Sequence, residues 1–553
     1  MVSGQRGGRH QGILKNMPWI YGALLVICLF HVAATVIWLL RDNSFLWGQT
    51  SAHLSEHIRL WYTLERVASL PLAWHYKLLI LYHRLRMNNF SWSPFIHLVG
   101  CAGNVVMGRG WMPVLLTSSL WFIVLISSTC ALGCRLFGRK QGLLAAVLVS
   151  LYPGLYGLSR NFGPDLPLAS LVTLGMYALV RSQGFKRGGA SLAFGLCLGM
   201  AMLVKLTAAI FFLAPVLMLM RKGERVWHRH TARRNFLSGK MLQSYLSRQR
   251  HVFQAVFLAV FLALAWWHVC FDKLPRLFVM QCLNSENYAI SYLDRVIYFA
   301  REILTNSSLL LFCAGVVASV LVMLRQRRIP WLVVGWFALP LLIGSCLPLR
   351  EGSYVLPCLP ALALLTARGV GVARGYGIRS LVVLGIVGAG VFQFFHVSFG
   401  WGPDIFLMNT PELRLVYAHP PVRQDVAAQV QALTRSLPRF GLEQAMIIGP
   451  DVFLGDATVG IEYGLANVVF KQTFALSRPI TANYFPDFFP WHRDMTPYAA
   501  DYQQQCLPRY LVIRESLPTE IIAHQYRLER SLPSDGMLPR LLLFEKWLPE
   551  AKH

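Results

Sequence analysis

The chain has 553 residues, of which 55% are hydrophobic and 14% charged, and its mean hydropathy of +0.46 excludes a string of ordinary soluble domains. A formal charge of +26 would suit a nucleic-acid binder only if the basic residues lay on a water-exposed domain, yet segment 398–553 holds 14 Lys/Arg against 16 Asp/Glu. The excess charge therefore belongs to membrane topology and anionic headgroups.

A basic tail (Arg6, Arg9, Lys15) leads into the apolar run 17–40, long enough at 1.5 Å per residue to cross a hydrocarbon core of about 30 Å. The run continues through Ile37, Trp38, Leu39 and Leu40 into Arg41 without a small-residue cleavage site, so it reads as a retained anchor with a cytoplasmic N-terminus. Residues 41–111 follow as a long outward segment in which Trp61, Tyr62, Trp74, His75, Tyr76, Tyr82, His83 and Arg84 favour helices lying at the headgroup level. Within it the stretch 94–107, with His97 and Asn104, is expected to dip into the interface without crossing.

Further apolar runs lie near 112–134, 141–158, 166–180, 189–204, 206–220, 252–270, 308–324, 329–348, 353–367 and 380–398, which predicts eleven crossings in all. Alternate threading puts 24 Lys/Arg and a single acid, Glu224, on the side of the N-terminal tail. This positive-inside pattern orients the chain, with residue 230 in the cytoplasm and residues 290 and 480 in the periplasm. After Phe399, Gly400-Trp401-Gly402-Pro403 reads as a linker. Beyond it, short β-type runs (445–448, 510–513, 540–544) alternate with polar helical stretches such as 422–436.

The predicted fold class is thus an α-helical polytopic membrane protein with about eleven transmembrane helices and a small C-terminal α/β periplasmic domain. The transmembrane domain occupies 1–399, including the first outward loop 41–111, and the soluble domain occupies 400–553. The eleven cysteines form neither a CxxC pair nor a zinc-type spacing with histidine, so they read as small hydrophobes. Cys270 and Cys282 flank an outward loop, where packing is the favoured reading over a disulfide.

Chemistry concentrates at the outer ends of the helices, where charge is costly unless it lines a wet cavity or works. Three outward turns stand out. They are Ser159-Arg160-Asn161-Phe162-Gly163-Pro164-Asp165, Lys205-Leu206-Thr207, and Leu349-Arg350-Glu351-Gly352-Ser353-Tyr354. Asp165 precedes an apolar helix, so a plain N-cap is the structural alternative to a functional carboxylate; Lys205 and Arg350 have the alternative of snorkelling.

The stretches SRNFGPDLPLASLVTLGMYALVRS and GLCLGMAMLVKLTAAIFFLAPVL, with YVLPCLPALALL at 354–365, resemble bacterial membrane glycosyltransferases of the protein-mannosyltransferase and aminoarabinose-transferase type. The resemblance covers most of 1–400 and implies a GT-C-like bundle whose outer-leaflet cavity takes a sugar on a polyprenyl phosphate. It implies no cofactor and a lipid, glycan or protein acceptor in the cell envelope of a bacterial inner membrane. Cations suit the phosphate and a carboxylate suits the acceptor's proton. On that pattern Lys205, Arg350 and Tyr354, with His53, are the substrate-binding candidates, and Asp42, Glu56 and Asp165 the catalytic ones.

One departure matters. Relatives carry the basic aspartate in the first outward loop, whereas here Trp47-Gly48-Gln49-Thr50-Ser51-Ala52-His53-Leu54 has glycine and glutamine in its place. Asp42 and Glu56 are the nearest acids, and a helix-end or interfacial charge is the plainer reading of each. The competing functions are a catalytically silent lipid-linked-sugar binder or scaffold and a lipid-linked saccharide flippase.

Overall fold

Each of the eleven apolar runs falls on helix, because a backbone in hydrocarbon has no water to bond and must satisfy its own N–H and C=O groups. The computed structural model describes residues 18–42, 49–87, 93–108, 110–231, 239–268, 291–325, 330–346, 352–372, 375–403 and 418–421, together with four strands near the C-terminus. In chain order the helices are α1 (Pro18–Arg41), α2 (Gln49–Ala68), α3 (Trp74–Met87), α4 (Phe95–Met107), α5 (Trp111–Phe137), α6 (Arg139–Ser150), α7 (Pro153–Leu158) and α8 (Asp165–Arg181). They continue with α9 (Gly188–Val204), α10 (Ala209–Thr231), α11 (Gly239–Trp267), α12 (Tyr292–Ser307), α13 (Leu309–Arg325), α14 (Trp331–Cys346), α15 (Leu359–Val372) and α16 (Tyr376–Phe399). Two 3₁₀ turns, Leu206–Ala208 and Gly352–Cys358, precede α10 and α15.

The expected eleven full-length crossings do not follow from these helices. Among the described residues, five segments are long and apolar enough to cross alone: Trp19–Arg41, Met112–Phe137, Tyr245–Trp267, Gly352–Val372 and Tyr376–Phe399. A sixth arises if α12 and α13, which meet at a 110° bend, count as one broken span. The others are short, α8 and α9 at 17 residues and α14 at 16; Pro164 and the extended backbone at Lys205 mark the gaps between apolar runs, and Pro153 breaks one run into α6 and α7.

Packing divides the chain into two units, Met1–Leu40 with Phe90–Ile96 and Leu115–Pro420, and Arg41–Asn89 with His97–Val114 and Pro421–His553. In the first, α9 packs on α8 and α11, α15 on α6 and α13, and α10 on α14. Large side chains fill its centre: Phe122, Tyr152, Tyr156, Phe211, Phe212, Trp336 and Phe394 are buried. Its outside is just as apolar. Phe253, Phe257 and Phe261 form an exposed stripe along α11, successive rings stacked 6.1 and 6.3 Å apart, a surface that water would penalise and acyl chains do not.

Because lipid supplies no hydrophobic drive between helices, close packing does the work. A Cβ at Gly195 would collide with the backbone of Ala255, and one at Gly199 would come within 2.9 Å of Leu262. These two glycines, one helical turn apart, let α9 lie directly on α11. At the far end of the bundle Gly400 closes α16 in the left-handed region at φ 72°, its N–H donating to the His396 carbonyl at 2.8 Å.

In the second unit the first outward segment folds as α2 and α3, which pack together. Leu54, His57, Leu60, Thr63 and Val67 are buried along one stripe of α2, the periodicity of a helix with a single apolar face. Strands β1 (Ala445–Ile448), β2 (Tyr510–Arg514), β3 (Tyr526–Leu532) and β4 (Leu541–Lys546) form one sheet in the order β1-β2-β4-β3. The β1–β2 pair is parallel and the other two pairs are antiparallel. Three of these strands match the β-type runs of the sequence; β3, with its two arginines and a glutamate, does not announce itself by hydrophobicity. The helical stretch 422–436 and the Cys270/Cys282 pair lie outside the described residues.

Gly195→Leu should separate α9 from α11. We expect a loss of about 1–3 kcal/mol, in the range for overpacking, read as a lowered midpoint of thermal unfolding in detergent, while Gly189→Leu, at a position with nothing within 4 Å of a Cβ, should leave the midpoint unchanged.

Candidate functional site

The three outward turns singled out by the sequence meet in the first unit, and Lys205 joins them. Its backbone is extended (φ −144°, ψ 125°) between the end of α9 and the 3₁₀ turn that opens α10, so the side chain leaves the helical path. The ammonium lies 3.0 Å from Asp165 Oδ1 and donates to Ser353 Oγ at 2.9 Å. Both charged side chains are largely shielded, with 10% of Lys205 and 15% of Asp165 accessible. In such surroundings a charge needs its partner.

Asp165 is not the N-cap of α8. Pro164 occupies that position and makes no side-chain cap bond, so the N-cap alternative gives way to the ion pair. In the first turn of α8 the carboxylate also benefits from the positive end of the helix dipole. Ser353 and Tyr354 follow Gly352 in the 3₁₀ turn, and Tyr354 packs half-buried against the core.

The turn carrying Asp165 is held by Arg160. This arginine is buried, its guanidinium 5.1 Å from the Trp38 ring, 5.3 Å from Tyr156 and 6.0 Å from Phe394, and it donates to Ser398 Oγ at 2.5 Å. Around it Thr35 and Ser159 share a hydroxyl hydrogen bond at 3.1 Å and Ser118 donates to the Asn161 carbonyl. Trp38 in turn donates its indole N–H to the His419 carbonyl at 2.8 Å. Cation–π contact of this kind is strongest where the cation is desolvated, and it fixes α7 and the turn against α1 and α16.

A second carboxylate reaches the same place. Glu302 on α12 meets Gly352, where a Cβ would collide with it. The Asn306 amide donates to both its Oε2 (3.2 Å) and its backbone carbonyl (2.8 Å). Nothing in the sequence around Glu302 marks it, because the glycine it approaches lies 50 residues away in the chain. Ser353 lies in one of the three turns that the sequence singles out, though Arg350 and Tyr354 are the candidates named there.

The remaining candidates fall elsewhere. Arg350 lies outside the described residues. Asp42, His53 and Glu56 belong to the second unit, where Asp42 follows the end of α1 and the other two lie on α2. There His53 is buried with its ring 5.5 Å from that of His97. His57 is buried beside them, its Nδ1 donating to the His97 carbonyl at 3.2 Å and its Nε2 accepting from the Asn104 amide at 3.0 Å. The Gly110 N–H on Asn104 Oδ1 fixes that amide's orientation. Burial, partly offset by the His97 carbonyl, pulls His57 down to about 4. Among the described residues no three His, Cys, Asp or Glu side chains are placed to hold one metal ion.

The comparison with solved structures shows the fold that this helical bundle shares. The crystal structure of ArnT from Cupriavidus metallidurans bound to undecaprenyl phosphate aligns over 96% of this chain and 98% of its own, with a TM-score of 0.56 at 14% identity. Its apo structure aligns over 93% and 97%, with a TM-score of 0.53 at 14% identity. Residues 93–239 match the family described as dolichyl-phosphate-mannose-protein mannosyltransferase, which confirms the resemblance read from the sequence; the matched segment contains both Asp165 and Lys205. No curated protein matches the chain by sequence.

Two outcomes follow from this geometry. In a double-mutant cycle, Asp165→Ala and Lys205→Ala should show a favourable coupling of about 1–3 kcal/mol in unfolding free energy; additive losses would mean the pair does not act as a unit. The second concerns His57, whose folded value of about 4 lies below the ordinary 6.5 of an unfolded histidine. Between those values the unfolded chain binds more protons, so the contribution is complete above pH 6.5 and is lost as pH falls towards 4. The thermal midpoint of the chain should therefore drop between pH 7 and pH 5, and less steeply in His57→Gln.

Proposed function

We propose that this chain moves a sugar from a polyprenyl-phosphate donor to an envelope acceptor on the periplasmic face of a bacterial inner membrane. The observation that carries the reading is the Lys205 ammonium, held between Asp165 and Ser353 at the end of a membrane helix. A phosphate arriving there meets a cation already oriented by a carboxylate and two adjacent hydroxyl-bearing residues, Ser353 and Tyr354. Low local dielectric strengthens that attraction, and an oriented donor needs no reorganisation as charge develops on the leaving phosphate.

In this reading the acceptor oxygen attacks the anomeric carbon as the bond to the phosphate breaks. Lys205, with Arg350 from the same outward loop as Ser353, takes the growing negative charge, and a carboxylate receives the acceptor's proton. Asp165 fixes the lysine. The first outward loop offers Asp42 and Glu56 as proton acceptors and His53 as a binding group. The near-neutral C-terminal region 400–553, α/β in this reading, serves as an accessory. A silent lipid-linked-sugar binder is the second reading, favoured by the glycine and glutamine at 48 and 49.

Native mass spectrometry with undecaprenyl phosphate tests the phosphate site. Lys205→Ala removes a charge-assisted contact worth about 1.5–3 kcal/mol, so the variant should bind roughly tenfold to over a hundredfold more weakly. Undiminished binding by a well-folded variant would place the phosphate elsewhere. Comparison of polyprenyl-phosphate sugars in membranes with and without the gene then separates the transferase, which leaves its donor to accumulate, from the silent binder, which does not.

A further inference from the structure

We infer that Glu302 is the catalytic carboxylate that takes the acceptor's proton, with Asn306 and Gly352 as its positioning residues; the inference rests on the transferase reading above. Glu302 stands on α12, one helical turn before the helix ends at Ser307. Its carboxylate touches Gly352, whose next neighbour in the chain is the Ser353 that accepts from Lys205. A base must lie within hydrogen-bond reach of the proton it abstracts, directly or through one water, and Glu302 lies against the residue that precedes Lys205's hydroxyl partner Ser353.

The two carboxylates of the site are held in different ways. Asp165 shares the Lys205 ammonium at 3.0 Å, and an oxygen that takes a proton gives up that contact, so protonation of Asp165 would loosen the cation just when the leaving phosphate needs it. Glu302 is oriented by neutral donors, the Asn306 amide at 3.2 Å and the Tyr298 hydroxyl one turn earlier on the same helix. The charged and titratable groups that act on it are Tyr298 and Arg301 from its own helix. Glycine at 352 is what lets the carboxylate approach. Asn306 is itself seated against Gly154 of α7, where a Cβ would collide with the amide, so the helix that carries Glu302 is locked to the helix preceding the Asp165 turn.

The step balances without a further reactant. The acceptor O–H loses its proton to Glu302 while its oxygen forms the bond to the anomeric carbon. The bond from that carbon to the phosphate oxygen breaks, and its electron pair leaves on the polyprenyl phosphate beside Lys205. The proton on Glu302 returns to water once the product departs.

The test compares wild type, Glu302→Gln, Glu302→Asp and Gly352→Ala as purified full chains. Two readouts are used: undecaprenyl phosphate binding, and transfer from a total lipid extract of cells lacking the gene. Expected results are binding within twofold of wild type in all three variants, transfer lowered 10²- to 10⁴-fold in Glu302→Gln, partial recovery in Glu302→Asp, and a lowered kcat in Gly352→Ala as the carboxylate is pushed aside. The acid limb of the kcat–pH profile should vanish in the residual activity of Glu302→Gln. Transfer within threefold of wild type in Glu302→Gln would overturn the assignment, and so would a loss of lipid binding that parallels the loss of transfer. If the wild-type chain neither binds undecaprenyl phosphate nor transfers, the transferase reading itself has failed, an outcome distinct from either.

Discussion

An ammonium shielded from water at the end of a membrane helix must be given its counter-charge by the protein, and the pairing of Lys205 with Asp165 meets that demand. The rest of that end of the bundle follows. Asp165 can reach Lys205 only if α8 begins where Pro164 starts it, and Ser353 only if the chain after α14 turns back as a tight 3₁₀ segment. Turns distant in sequence are thereby drawn together where Lys205 meets Asp165 and Ser353, and Glu302 lies against Gly352, the residue before that serine.

Other buried polar groups solve the same problem differently. Arg160 is surrounded by the faces of Trp38, Tyr156 and Phe394 and by hydroxyls, so its charge is spread over ring quadrupoles. His57 stays neutral, both ring nitrogens committed to bonds that the neutral form satisfies. The first arrangement tolerates a fixed charge, the second excludes one, and the Lys205 cluster holds its cation between a carboxylate and a hydroxyl.

Helices were legible because the bilayer enforces them: every apolar run became helical, and the turns with Asp165, Lys205 and Ser353 stood out as polar breaks between runs. The described helices do not match the count of eleven crossings, since hydropathy cannot see that Pro153 breaks the run 141–158 into two short helices. Glu302 was hidden for a different reason. Its importance lies in contact with Gly352, a long-range approach that depends on the 110° bend between α12 and α13, and that bend occurs at Ser308, a non-glycine residue at φ 72° that no local pattern announces. The C-terminal strands β1, β2 and β4 were visible as apolar runs, while β3, rich in charge, becomes a strand through its pairing with β4.

The shortness of α9 has a consequence for the membrane around it. Seventeen residues rise only about 26 Å, against a hydrocarbon thickness of about 30 Å. If the basic pair Lys186-Arg187 before α9 rests among the headgroups of one leaflet, Lys205 at its other end falls roughly 4 Å short of the opposite headgroups. The surrounding bilayer must then pinch inward, or the lysine must sit in a dent below the lipid surface. Either way the polyprenyl phosphate of the proposed reaction would meet this lysine without climbing out of the leaflet, and the membrane's own elasticity would become part of its binding.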